Sequence, residues 1–203
     1  KLFTPVTFGP LTLRNRTIRS AAFESMCPGN APSDMLLDYH RSVAAGGIGM
    51  TTVAYAAVTR SGLSFDRQLW MRPEIIPGLR RLTDAIHAEG AAAGIQLGHC
   101  GNMSHKSICG CTPVGASGGF NLYSPTFVRG LRADELPEMA RAYGRSVNLA
   151  REAGFDAVEI HAGHGYLISQ FLSPSTNHRK DEFGGSLQNR MRFMDMVMEE
   201  VMK

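Results

Sequence analysis

The chain has 203 residues, 43% of them hydrophobic and 19% charged, which suits a folded globular domain and excludes a disordered segment. Its formal charge of +3 is spread along the chain with no Lys or Arg run that could form a nucleic-acid stripe, and no stretch reaches the roughly 18 apolar residues of a membrane span. No nucleic-acid or membrane partner is expected. Lys1 to Pro5 offers no apolar segment before a cleavage site, and Cys27, Cys100, Cys109 and Cys111 are too few and too unevenly spaced for a disulfide framework. Reduced thiols in a cytoplasmic protein are the expectation.

In chain order, the apolar run Arg16 to Ala22 reads as a first strand. After Ser33-Asp34, the residues Leu36, Leu37, His40, Val43 and Ala44 recur at helical spacing, stop at Gly46-Gly47 and lead into a second strand, Ile48 to Tyr55. A second helix from Ile75 to Glu89 stops at Gly90 and leads into Ala93 to Leu97. A third, from about Asp134 through Met139, Tyr143, Val147 and Ala150, stops at Gly154 and leads into Ala157 to His161. Ser186 opens a last helix with Leu187, Met194, Val197, Met198 and Val201 on one face, where methionines 191, 194, 196 and 198 read as core filling.

Strands alternating with helices define an α/β class with a parallel sheet, since each return between parallel strands requires a crossover helix. Four strand–helix units fall near residues 17–47, 48–90, 91–154 and 156–203. A closed (β/α) barrel of the TIM type has eight units in roughly 250 residues, so about half a barrel is expected, with the other half absent. A small doubly wound sheet would give the same pattern.

In such folds the reactive groups gather at the carboxyl ends of the strands. Four segments qualify: Ser20-Ala21-Ala22-Phe23-Glu24, Ala54-Tyr55 and its neighbours, Gln96 to Gly101, and His161-Ala162-Gly163-His164-Gly165-Tyr166. The last is the richest. Neutral imidazoles at His161 and His164 can donate hydrogen bonds to a carbonyl oxygen, and the Tyr166 phenol stays protonated at neutral pH and can act as an acid.

The segment from His161 to Leu167, then Phe171-Leu172-Ser173-Pro174, Asn177 to Ser186, and Asn189-Arg190 with Arg192-Phe193 resemble the signature of the old yellow enzyme family of FMN-dependent NAD(P)H oxidoreductases and ene-reductases. Asn15-Arg16 and Ile95-Gln96-Leu97 extend the resemblance over nearly the whole chain. It implies an eight-stranded barrel with FMN across the strand ends, NAD(P)H as reductant, and an α,β-unsaturated carbonyl compound as substrate. By the same resemblance, His161 and His164 bind the substrate carbonyl and Tyr166 gives the proton. Gln96 meets the pyrimidine edge of the flavin, Ser20, Ala21, Ala22 and Phe23 pass beneath its ring, and Tyr55 or Ala54 supplies a contact from the second strand. Phe23 departs from the polar residue many relatives carry there. The phosphate-binding loops belong to the other half of the barrel.

His99, His105, Cys100, Cys109 and Cys111 lack the paired spacing of a zinc site and read as a mobile loop, so no metal is expected. Glycines 115, 118 and 119 fit no phosphate loop and read as flexible. Arg179 with Asp181, and Arg190 with Arg192, read as structural ion-pair residues. The alternative to an enzyme is a non-catalytic half-barrel whose open sheet edges drive self-association into a homo-oligomer or require a partner.

Overall fold

The computed structural model describes residues 1–203. In chain order its elements are β1 (Val6–Phe8), β2 (Leu11–Leu13), β3 (Ile18–Arg19), α1 (Asp34–Ala45), β4 (Met50–Ala57), α2 (Ile76–Ala88), β5 (Ala92–Gly98), α3 (Lys106–Cys109), β6 (Val114–Gly115), β7 (Gly119–Asn121), β8 (Thr126–Gly130), α4 (Leu136–Glu152), β9 (Ala157–Ile160), α5 (Leu167–Leu172) and α6 (Leu187–Val201), with short 3-10 turns between some of them. No helix is long and apolar enough to cross a membrane. The chain divides into two compact units, the first comprising Lys1–Ala56, Arg67–Leu97 and Asn148–Glu159 and the second Ala57–Asp66, Gly98–Val147 and Ile160–Lys203.

The first unit is built on a four-stranded sheet of order β3-β4-β5-β9, with β3 parallel to β4 and Ile18 opposite Met50. Successive strands of this sheet, with a helix between each pair, are neighbours in space, β6 to β8 forming a separate sheet. That is the order of a barrel, whereas a doubly wound sheet reverses at a switch point. Strands β4 and β5 are buried almost throughout, which is why they read as continuous apolar runs. At the sheet edge β9 is less covered: Ala157, Val158 and Ile160 are half-buried and Glu159 is exposed.

Helix α1 starts where the Ser33 hydroxyl accepts the Leu36 amide hydrogen and buries Leu36, His40 and Ala44, one face at a spacing of four. Leu37 and Val43 are half-buried. Helix α2 buries Leu79, Leu82, Thr83 and Ile86, and the Thr83 hydroxyl donates to the Ala153 carbonyl at 2.6 Å. The residues before the sheet form an antiparallel hairpin, β1 with β2, and one expectation changes. The first sheet strand is only Ile18–Arg19, because the chain leaves the sheet to bury Glu24, whose carboxylate accepts from Arg19 at 2.8 Å and faces His40 Nε2 at 3.0 Å.

The second unit contains a three-stranded sheet of order β6-β8-β7 where the sequence suggests flexible loop; Gly115 lies in β6 and Gly119 in β7. In the same unit the rings of Phe171 on α5 and Phe193 on α6 pack at a tilt with centroids 4.6 Å apart. Helix α6 begins at Ser186 as expected, but its buried residues are Phe193 and Val197. Met194, Met196 and Met198 are half-buried, while Leu187 and Met191 are exposed, so these methionines flank the core instead of filling it. Arg179 does pair with Asp181, which holds that carboxyl below its usual range, and its guanidinium also donates to the carbonyls of Ala116 and Leu131. Arg190 and Arg192 instead donate to carbonyls, those of Leu172 and Glu182, at 2.7 and 3.0 Å.

Candidate active site

Strand β9 ends at Ile160, and the chain turns sharply through His161 to Tyr166 before α5 begins. The turn requires left-handed backbone at two successive residues, His164 (φ 55°) and Gly165 (φ 68°). Glycine adopts it freely, whereas His164 does so at a cost of order 1 kcal/mol or more. The Tyr166 amide closes the turn on the Gly163 carbonyl at 3.1 Å, and Tyr166 caps the start of α5.

This geometry brings the three predicted side chains together. His161 is 8% exposed, and its Nε2 lies 3.1 Å from Nδ1 of the exposed His164. The Tyr166 ring stands edge-on to His161 with centroids 4.9 Å apart and lies 6.4 Å from His164. Between two neutral imidazoles one nitrogen must donate and the other accept. An acceptor atom placed between them could take a hydrogen from each ring in place of this mutual bond.

The buried Gln170 of α5 fixes the turn from beneath. Its Nε2 donates to the Gly165 carbonyl at 2.6 Å and to Asn102 Oδ1 at 2.9 Å, and its Oε1 accepts from the Asn102 amide at 3.2 Å. Gly101, itself left-handed at φ +64°, leaves room for it: a Cβ there would lie 2.4 Å from the Gln170 carboxamide. Next to it His99 is fully buried, with Nδ1 accepting from the Gly101 amide at 2.9 Å and Nε2 donating to Ser61 Oγ at 3.1 Å. Burial lowers its pKa to about 3. With both ring nitrogens engaged, His99 is a structural pin, and its carbonyl accepts the Leu167 amide that begins α5. Sequence reasoning missed Gln170, which lies within an apolar run.

Two cavities meet the trio. One of about 570 Å³ is lined by His164 and Gly165 with Asn102, Phe120, Tyr123 and His178. The other, about 440 Å³, is lined by Tyr166 with Phe65, Met103, His105 and Tyr123. These aromatic walls were also unforeseen; their only signal in the sequence is the set of large apolar residues, Phe120, Leu122 and Tyr123, following the glycines at 118 and 119.

The remaining predicted residues belong to the first unit. Ser20, Ala22 and Phe23 are exposed and Ala21 half-buried, in a non-regular segment after β3. Ala54 and Tyr55 are buried in β4; the Ala54 amide faces Glu24 Oε2 at 3.4 Å and the Tyr55 carbonyl accepts from Gln68 at 3.1 Å. Gln96 donates through Nε2 to Glu159 Oε1 at 2.6 Å, a partner on β9 that the sequence did not suggest. That bond orients the carboxamide and leaves its oxygen and second hydrogen available. A planar heterocycle edge that both donates and accepts fits this group.

The fold is that of part of a (β/α) barrel, with a histidine–tyrosine turn following the last strand of its sheet. The family model described as NADH:flavin oxidoreductase / NADH oxidase family matches residues 1–203, and the chain belongs to that family. It is 42% identical over 200 residues to 4,4'-dithiodibutanoate disulfide reductase of Rhodococcus erythropolis, covering 98% of this chain and 50% of that protein. To NADPH dehydrogenase of Bacillus subtilis (strain 168) it is 37% identical over 206 residues, 99% of this chain and 60% of that one. Among solved structures, the old yellow enzyme homologue from Zymomonas mobilis superposes with a TM-score of 0.92 at 30% identity over 99% of this chain and 59% of its own. Morphinone reductase in complex with tetrahydroNAD gives 0.91 at 29%, over 98% and 60%. The chain thus spans half to three fifths of the length of these proteins. The fold is that of the corresponding part of their barrel, and the family uses FMN with NAD(P)H as reductant.

Proposed function

We propose that this chain carries the substrate-polarising and proton-donating half of an FMN-dependent NAD(P)H oxidoreductase that reduces activated C=C bonds of α,β-unsaturated carbonyl compounds. The observation that supports it most is the 3.1 Å contact of His161 with His164, with the Tyr166 ring edge-on beside them. FMN, when bound, supplies the hydride. Gln96, oriented by Glu159, would hold the pyrimidine edge of the ring, with Ser20, Ala21, Ala22 and Phe23 beneath it and Tyr55 or Ala54 contributing from β4.

The substrate oxygen settles between the two imidazoles, each turning a hydrogen toward it, and the charge that grows there during reduction is stabilised by both. The Tyr166 phenol then passes its proton to the α-carbon. The exposed rings of Phe120 and Tyr123, which line the cavity beside His164, offer an apolar surface to the substrate body.

Tyr166→Phe separates the steps. In a flavin-loaded enzyme, stopped-flow measurement is expected to find alkene reduction slowed by on the order of 10²-fold or more, with flavin reduction by NAD(P)H unchanged. Equal loss in both half-reactions removes the proton-donor role. A second reading rests on the incompletely covered edge strand β9: the 203 residues act only when a partner covers that edge. Absence of flavin absorbance and of enone reduction when FMN is added to the chain alone favours it.

A further inference from the structure

Outside the candidate active site, Cys109, Gly110 and Cys111 bring two thiols together. Cys109 ends α3 and is 2% exposed, whereas Cys111 is exposed. Their sulfurs lie 3.7 Å apart. The approach depends on Gly110, which sits in the left-handed region at φ +74° and turns the chain straight back. The cysteines thus form an asymmetric pair, one sulfur open to a reactant and the other held behind it against the carbonyls of His105 and Cys111, each at 3.2 Å. Cys111 also lines a cavity of about 560 Å³ with Ser61, Arg129 and Met139, large enough for a small molecule. The other two cysteines differ: Cys27 is buried with its thiol pushed up to about 12, and Cys100 is buried and donates to the Leu63 carbonyl.

We propose that Cys109-Gly110-Cys111 is a thiol–disulfide exchange site for low-molecular-mass disulfides, with Cys111 as the attacking thiol and Cys109 as the resolving one. Cys111 loses its proton to solvent and its sulfur attacks one sulfur of the disulfide RSSR. The Cys111–SR bond forms, the RS–SR bond breaks, and the first thiolate leaves and is protonated. Cys109 then loses its proton and attacks the Cys111 sulfur, expelling the second thiolate. The net change is RSSR plus two protein thiols giving one protein disulfide and two RSH, with two electrons passing from the protein to RSSR. The small ring strains the resulting disulfide and keeps it reducible, so exchange runs in both directions. Burial and the neighbouring Cys109 hold the Cys111 thiol above its ordinary range, against the pull of Arg129 and Arg60, so exchange accelerates as pH rises.

The test is oxidised glutathione added to the folded chain, with released thiol counted and the product mapped by peptide mass spectrometry. The wild type is expected to release two thiols per chain and to contain the Cys109–Cys111 disulfide. Cys109→Ser should release one and retain glutathione on Cys111, and Cys111→Ser should release none. A wild-type product that keeps glutathione on Cys111, or fails to react, overturns the proposal, as does Cys111→Ser reacting at the wild-type rate. The wild-type map decides by itself should a variant fail to fold.

Discussion

His99 shows how one side chain can be conspicuous in sequence yet serve structure. Beside Cys100 it resembles a ligand, but its two nitrogens are taken by Gly101 and Ser61 in a fully buried site. The folded protein keeps this ring neutral down to pH about 3, while the unfolded chain protonates it near 6.5. The unfolded state therefore binds the extra proton first, and stability falls as pH drops from about 6.5 toward 3, being unaffected by His99 above that window. His99→Gln should be less stable than wild type at pH 8 and should narrow the gap as pH falls. Urea unfolding at several pH values checks this; a gap that stays constant or widens in acid denies the buried neutral histidine its part in acid sensitivity.

At the scale of elements, the turn before α5 is stabilised by a residue that does no chemistry. Gln170 ties the Gly165 carbonyl to Asn102, and the left-handed His164 has a fixed neighbour only while that tie holds. Gln170→Ala removes its bonds to the buried Cys100 carbonyl and to the part-buried Gly165 carbonyl and Asn102; a buried group left unpaired costs about 1–3 kcal/mol, the part-buried ones less. Thermal unfolding should register that loss, and the mutual hydrogen bond of His161 and His164 should loosen. Ring-nitrogen NMR shifts of the two histidines identical to wild type would show that the turn holds itself. The same stretch shows what the sequence could disclose. Gly47, Gly90 and Gly154 all take positive φ at helix ends, so the helix–strand rhythm was readable from them. The trio was readable because its members lie within six residues of one another. Gln170 was hidden among Leu167, Ile168 and Phe171, where periodicity registers only apolar burial. Glu159 was hidden because its partner Gln96 is distant in sequence and only the sheet order makes them neighbours. The strand β6, two residues ending in glycine, carries no propensity signal at all.

For the whole molecule, the decisive feature is the sheet of the first unit, which runs β3-β4-β5-β9 and ends at two edges of different character. At one edge β3 has only two residues, too short to recruit another strand. At the other, β9 has four residues, with Ala157, Val158 and Ile160 only half-buried, and its one charge, Glu159, accepts from Gln96 of the neighbouring strand. Such an edge offers backbone donors and acceptors to any strand that reaches it, together with apolar surface that burial would stabilise by about 25 cal/mol per Å². The 203-residue chain alone is therefore expected to self-associate through β9, with an average mass in sedimentation equilibrium that rises with concentration. Val158→Lys places a second charge, on the apolar face of that edge, and should shift the distribution toward monomer while leaving the helical circular dichroism unchanged. A wild-type chain that stays monomeric across the whole concentration range, or a Val158→Lys variant that associates as strongly, would show that the β9 edge is not the adhesive surface.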